Sequence, residues 1–482
     1  MACLAIIPSA MRVAESVSRW ALPAFGALVV LLLGLHPEAD IVPARINLAQ
    51  AAVRRGLPGE ALSELEAALE FEPALAALHP AAAELALLSD LPARALAHTD
   101  AADALLPPDP ERLCLRAEAL HQQGDFSATA LLGSEIRSSC QADLPLLHRW
   151  VDRLWEAHRY RDALSLMDEL EAAGESTILE LRQQALAASV YRPASAAAAL
   201  RRALAGASGP NALLEALAEI EVPQGGESMA PYYASVGGEL ARHGQWGLAQ
   251  ESLQAALAEQ PKLAIARAYL GMAIEQLGGD GWPQIWGAVL TDPSSSAVWT
   301  VLGGFWLERG DVERALSAYQ QAERLDPGNA AAAAGLGGAL TSAGRINEAA
   351  EAYLRAARNG KEDPALWILL ARFSLAWDFD VISVGLPAAR NAVAISTSNP
   401  EALASLGYAH VLAGEPLLGR RLLLRAIDLS PSDPQVWYQL GLAYLALGDA
   451  AGARPPLQQA YSLDPDGPAG LLAQRTLESL AP

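Results

Sequence analysis

The side chains able to do chemistry are few and scattered. The chain has 482 residues, with eight histidines and three cysteines. His36, His79, His98, His121, His148, His158, His243 and His410 form no HExxH pair. No Ser-His-Asp grouping and no glycine-rich phosphate loop after a strand accompanies them. Cys3, Cys114 and Cys140 show no CxxC or mixed Cys/His spacing, which a structural zinc site needs. Asp378 and Asp380 have the carboxylates for a weak calcium loop, but a solvated loop accounts for them better. Trp282, Trp286, Trp299 and Trp306 have faces suited to a sugar platform, yet their helical spacing favours core packing. The Gly-Gly pairs 303–304 and 337–338 lie inside helical runs, so close helix packing explains them better than a nucleotide site. No catalytic, cofactor-binding or metal-ligating residue is assigned, and the chain is not expected to be an enzyme.

Composition narrows the classes further. Hydrophobic residues make up 52% of the chain and aromatics only 6%. Alanine and leucine dominate, which favours helices because both lose little freedom there. The formal charge is −21, from 55 acidic against 34 basic residues. No cluster of Lys and Arg marks a basic face, so no nucleic-acid partner is expected.

Trp20 to Leu35 reads WALPAFGALVVLLLGL, sixteen residues without a charge. A spanning helix wants about 20 apolar residues, with a lower limit near 17. Three readings stay open: a transmembrane or signal-anchor helix over 20–36, which is preferred; a cleaved signal peptide; and a buried helix capping the rest of the fold. Arg12 and Arg19 precede the run, while Glu38 and Asp40 come after it. The positive-inside tendency then leaves 1–19 in the cytoplasm and the rest outside. A single-pass protein of the cytoplasmic membrane is the expectation.

The stretch from Ser296 to Asn329 sets the architecture: SAVWTVLGGFWLERGDVERALSAYQQAERLDPGN. Trp299, Leu302, Gly303 and Trp306 fall at helical spacing, and Gly310-Asp311 interrupts them. A second helical run holds Ala315, Tyr319 and Ala322 until Asp326-Pro327 stops it. Numbered 1 to 34, with Trp299 at position 4 and Pro327 at position 32, the same frame recurs along the chain. It is weaker over 42–209 and clear over 230–467. Between them, 210–229 holds an extra helix (Asn211 to Ile220) and a Pro/Gly-rich hinge. An insertion near Trp377–Ile382 makes repeat 364–399 irregular, and 468–482 closes the array with a capping helix.

This pattern resembles the tetratricopeptide (TPR) family. The resemblance implies an all-α fold: a right-handed superhelix of about 11–12 helix-turn-helix units after the N-terminal segment. It also implies an interaction scaffold whose concave side is lined by positions 5, 9 and 12 of each first helix. In this sequence those are Thr300, Gly304 and Leu307; Ala334, Gly338 and Thr341; Ile368, Arg372 and Leu375; Ala404, Tyr408 and Val411; Tyr438, Leu442 and Leu445. No Asn stands at position 9, so a carboxylate clamp is not expected. The mostly apolar lining suits an amphipathic helix or apolar peptide; packing of the superhelix on itself or self-association is the alternative. Cys114 at position 5 and Cys140 at position 31 lie at adjacent ends of two antiparallel helices, so a disulfide or two unpaired thiols both remain open. The function expected is a membrane-anchored, non-catalytic scaffold assembling a cell-envelope complex. An accessory subunit of a polysaccharide or protein export system, or a secreted TPR protein, is the alternative.

Overall fold

The computed structural model describes residues 41–126, 144–206 and 211–480. These hold 25 α-helices and one π-helical turn, with no strand among the described residues. Contacts group the chain into two units, Met1–Glu180 and Leu181–Pro482. The first contains α1 (Ile41–Arg54), α2 (Pro58–Phe71), α3 (Leu78–Leu88), α4 (Pro92–Leu105), α5 (Pro110–Gln123), α6 (Leu144–Glu156) and α7 (Tyr160–Ala173). Helix α8 (Ile178–Tyr191) begins in the first unit and continues in the second. The second unit continues with α9 (Pro193–Ala205), α10 (Ala212–Glu219), α11 (Ala230–Arg242), α12 (Trp246–Glu259), α13 (Ala264–Gln276) and α14 (Trp282–Thr291). Then come α15 (Ser296–Glu308), α16 (Val312–Leu325), α17 (Ala330–Ser342), α18 (Ile346–Asn359), α19 (Pro364–Ala376), the π turn Val381–Gly385 and α20 (Leu386–Ile395). The last are α21 (Pro400–Leu412), α22 (Pro416–Leu429), α23 (Pro434–Ala446), α24 (Ala450–Leu463) and α25 (Pro468–Ser479).

Each hairpin is fixed by local chemistry at its ends. Ser295, Asp311, Asn329, Asn399, Asp433 and Asp449 accept a backbone N–H from the first turn of the helix they precede. That satisfies a donor the helix itself cannot pair. Gly310 and Gly344 turn the chain between paired helices at φ of 75° and 72°. Nothing crowds either site, so it is the left-handed backbone, not space, that selects glycine there. In the irregular repeat no glycine is present at the turn, and Asp378 and Asp380 adopt φ of 49° and 43°.

Within the second unit the helices form two layers. The first helix of a repeat (A) packs on its own second helix (B), and each B helix packs on the next A helix. A helices α11, α13, α15 and α17 also pack on one another in turn, as do α19, α21, α23 and α25. Close approach depends on small residues. Ala315 and Ala322, Ala349 and Ala356, and Ala453 and Ala460 are all fully buried. Tyr319, Tyr353, Leu253 and Leu457 fill the space beside such small residues. The terminal helix α25 lays Ala473 and Leu477 over Ala453, Leu457 and Ala460, covering an apolar face that the last repeat would otherwise expose.

The expected single-pass membrane location is corrected. No helix among the described residues is long and apolar enough to cross a membrane. The longest have 14 residues, about 21 Å at 1.5 Å per residue, against a hydrocarbon core of about 30 Å. Their buried faces are committed to neighbouring helices. The segment 20–36 lies outside the described residues.

Candidate functional site

The A helices present a row of partly open side chains between core residues. Thr300, Gly304, Leu307, Ala334, Gly338, Thr341, Leu375, Tyr408, Tyr438, Leu442 and Leu445 are half-buried, and Arg372 is exposed. Ile368, Ala404 and Val411 are buried instead. Ile368 packs with Ala392 and Ala402, and Val411 belongs to the core around Leu403 and Leu423. These three do not offer side chains to the open face.

The polar groups on the face are mostly satisfied by the unit itself. Thr300 donates to the Ser296 carbonyl at 2.9 Å and accepts from Asn329 Nδ2 at 3.2 Å. Thr341 donates to the Gly337 carbonyl at 2.8 Å. Arg372 lies 3.7 Å from Glu401, an exposed pair of little energetic weight. Burial raises the Tyr408 phenol, with Tyr438 and Asp378 adding to the shift.

Two B-helix tyrosines reach towards this face through gaps left by glycine. A methyl at Gly303 would sit 2.7 Å from the Tyr319 ring, and one at Gly335 would sit 2.2 Å from it. Tyr353 occupies the same place beside Gly337. Burial pushes Tyr319 up to about 12, with the nearby Glu308 carboxylate as the second cause. Glu308 is itself raised, chiefly by burial, while the amide of Gln276 on α13 donates to it at 2.6 Å. Sequence reasoning placed Tyr319 only in the core and passed over Glu308. The signal available was Gly303 and Gly335, where any side chain would collide with the Tyr319 ring.

The tryptophans are structural ties. Trp299, Trp367 and Trp437 each donate their indole N–H to a carbonyl six residues earlier, at Pro293, Lys361 and Pro431, over 2.8, 3.0 and 2.8 Å. Trp282 stacks on Trp286 and Phe305 and tilts against Trp306.

The first unit holds two buried polar clusters. Glu118 accepts from Trp150 Nε1 at 2.6 Å and from Arg153 at 2.9 Å. His121 stacks flat on Trp150 with centroids 4.6 Å apart, and burial pushes it down to about 4. His79 and His98 meet Nδ1 to Nδ1 at 3.1 Å, and His98 reaches Glu66 at 3.3 Å. Among the described residues no group of His, Cys, Asp and Glu could hold a metal ion. Cys114 is disulfide-bonded; Cys140 lies outside the described residues.

Stacked helical hairpins with this spacing make an α-solenoid. The chain carries tetratricopeptide repeats: two family models described as tetratricopeptide repeat match residues 307–373 and 404–468. Such repeats are typically non-catalytic interaction scaffolds. YrrB, a TPR protein with an unusual peptide-binding site, is 21% identical over 40% of this chain and 97% of its own, at a TM-score of 0.33. A chain of the APC/C hetero-tetramer Cut9-Hcn1 is 16% identical over 94% of this chain and 98% of its own, at 0.44. Yeast Tom70 is 15% identical over 92% and 96%, at 0.39. No curated protein matches the sequence.

Proposed function

We propose that this chain is a non-catalytic scaffold that holds a polypeptide partner along the A-helix face of its second unit. The carrying observation is the run of half-buried side chains on consecutive A helices, from Thr300 to Leu445, between fully buried neighbours. Half-buried apolar residues leave surface that a partner can still remove from water, at roughly 25 cal/mol per Å². Tyr408, Tyr438, Leu442 and Leu445 form its apolar stretch, and Arg372 its charged member. Aromatic side chains with a polar tip are common anchors in interfaces.

The test is a comparison of co-purifying proteins. The full chain is immobilised, and bound proteins are identified by mass spectrometry beside Arg372→Glu and Tyr408→Ala. Loss of the same partners from both variants supports the reading. An unchanged set with both variants sinks it.

A further inference from the structure

Three A helices carry paired glycines at positions 8 and 9: Gly237-Gly238, Gly303-Gly304 and Gly337-Gly338. The first of each pair is demanded by packing. A methyl there would lie 2.6 Å from Leu253, 2.7 Å from Tyr319 or 2.7 Å from Tyr353. The second is not. A methyl at Gly238, Gly304 or Gly338 would meet nothing nearer than 3.6, 3.6 or 3.7 Å, an ordinary contact. All six lie in helices, where glycine is less favourable than alanine. Internal packing therefore gives no reason for bare backbone at the second position.

Two further groups point outward at the same place. Tyr319 is only 5% exposed, and its hydroxyl lies 3.6 Å from the methyl site of Gly304. No described residue hydrogen-bonds that hydroxyl. Glu308 stands one helical turn beyond Gly304. Its neighbour Glu275 is engaged with Arg309 at 2.5 Å, while Glu308, among the described residues, receives only the Gln276 amide. Arg309 is thus taken by Glu275, and among the described residues no cation pairs with Glu308.

We propose that Gly304, Gly338, Tyr319 and Glu308 form a notch for an extended, basic segment of a partner polypeptide. The partner backbone lies on the two glycines, one of its carbonyls accepts the Tyr319 hydroxyl, and a Lys or Arg pairs with Glu308. An extended segment fits because helix carbonyls are already bonded within the helix, whereas an extended chain presents free ones at close approach. Charge complementarity requires the cation, as an ion pair to an otherwise unmatched carboxylate. This inference rests on the A-helix face being the docking face.

The probe is a random twelve-residue peptide library displayed on phage and selected against the full chain. Enriched peptides are synthesised and titrated by fluorescence anisotropy against Tyr319→Phe, Glu308→Gln, Gly304→Leu, and the separate pair Arg372→Glu and Tyr408→Ala. Tyr319→Phe keeps the ring beside its two glycines, and an unchanged unfolding midpoint confirms that it folds. Enriched peptides are expected to carry Lys or Arg. Their affinity falls about 5-fold or more in Tyr319→Phe and about 10-fold or more in Glu308→Gln, and it is lost in Gly304→Leu. Peptides that respond to Arg372→Glu or Tyr408→Ala but not to the notch variants overturn the notch and leave the docking face standing. Peptides indifferent to every variant, or no enrichment at all, overturn both. Enrichment of sequences without a basic residue overturns the basic partner.

Discussion

Gly303 and Gly304 are neighbours in one helix, yet alanine at each is expected to act with opposite sign. A methyl at Gly303 would lie 2.7 Å from Cδ1 and Cε1 of Tyr319 and 2.8 Å from Cγ. Carbon atoms prefer about 3.5–4.0 Å, so the overlap approaches 1 Å. Tyr319 has little room to shift, because the Gly335 methyl site is also only 2.2 Å from its Cε1. Overpacking of this kind costs about 1–3 kcal/mol, against a gain of about 0.5–1 kcal/mol from replacing a helical glycine. Gly303→Ala is therefore expected to lose up to about 2.5 kcal/mol, with a central value of about 1 kcal/mol. Gly304→Ala meets only an ordinary 3.6 Å contact, so it keeps the gain and is stabilised by about 0.5–1 kcal/mol. Urea unfolding monitored by tryptophan fluorescence reads both variants, since Trp299 and Trp306 lie on the same helix. Equal destabilisation by the two substitutions would refute the distinction between the glycines.

Three other outcomes concern the first unit. His121 is held down to about 4 in the fold, first by burial, against about 6.5 when unfolded. Its contribution is present above pH 6.5 and lost as pH falls towards 4, by about 3 kcal/mol at most; His121→Phe should flatten that slope in pH-dependent unfolding. Glu118→Gln leaves Arg153 without its buried carboxylate and is expected to cost about 3 kcal/mol. Faster hydrogen exchange across α5 and α6 would register this, and unchanged protection would count against it. Cys114 is disulfide-bonded, and we propose Cys140 as its partner; neither thiol should then react before reduction, and alkylation of Cys140 without reductant, read by mass, would end that pairing.

The repeat frame was legible because several local signals coincide in each good repeat. Trp299, Gly303, Gly310, Tyr319 and Pro327 agree on two helices and one turn. The face was legible only in part. Counting positions 5, 9 and 12 places Ile368 and Val411 on it, yet both are buried. In repeat 364–399 the second helix has just 10 residues and comes after a π turn, so Ile368 is closed over by Ala392 and Ala402. Val411 is held against Gly419, where even a methyl would come within 2.5 Å. Periodicity states which side of a helix is apolar, but not how closely the next helix approaches. The Tyr319 hydroxyl escaped for the converse reason: a residue rightly placed in the core can still carry its tip out of it. The N-terminal apolar run was read by hydropathy alone, and the helices described after it are too short to span a bilayer.

The tryptophan ties occur at every second repeat. Trp299, Trp367 and Trp437 occupy the fourth position of their repeats, while Ala333 and Leu403 stand there in between. Each indole fastens its A helix to the carbonyl ending the repeat before it. Three junctions thus carry an indole tie, worth about 1 kcal/mol. At the two between them a different side chain makes the same kind of bond: Asn359 donates to the Pro327 carbonyl at 2.9 Å and Arg425 to the Thr397 carbonyl at 3.1 Å. As a one-dimensional lattice the array therefore has each of these five junctions pinned from the later repeat to the end of the earlier one. Native-state hydrogen exchange should show a smooth gradient along the array, and protection stepping in pairs of repeats would rule out this even coupling.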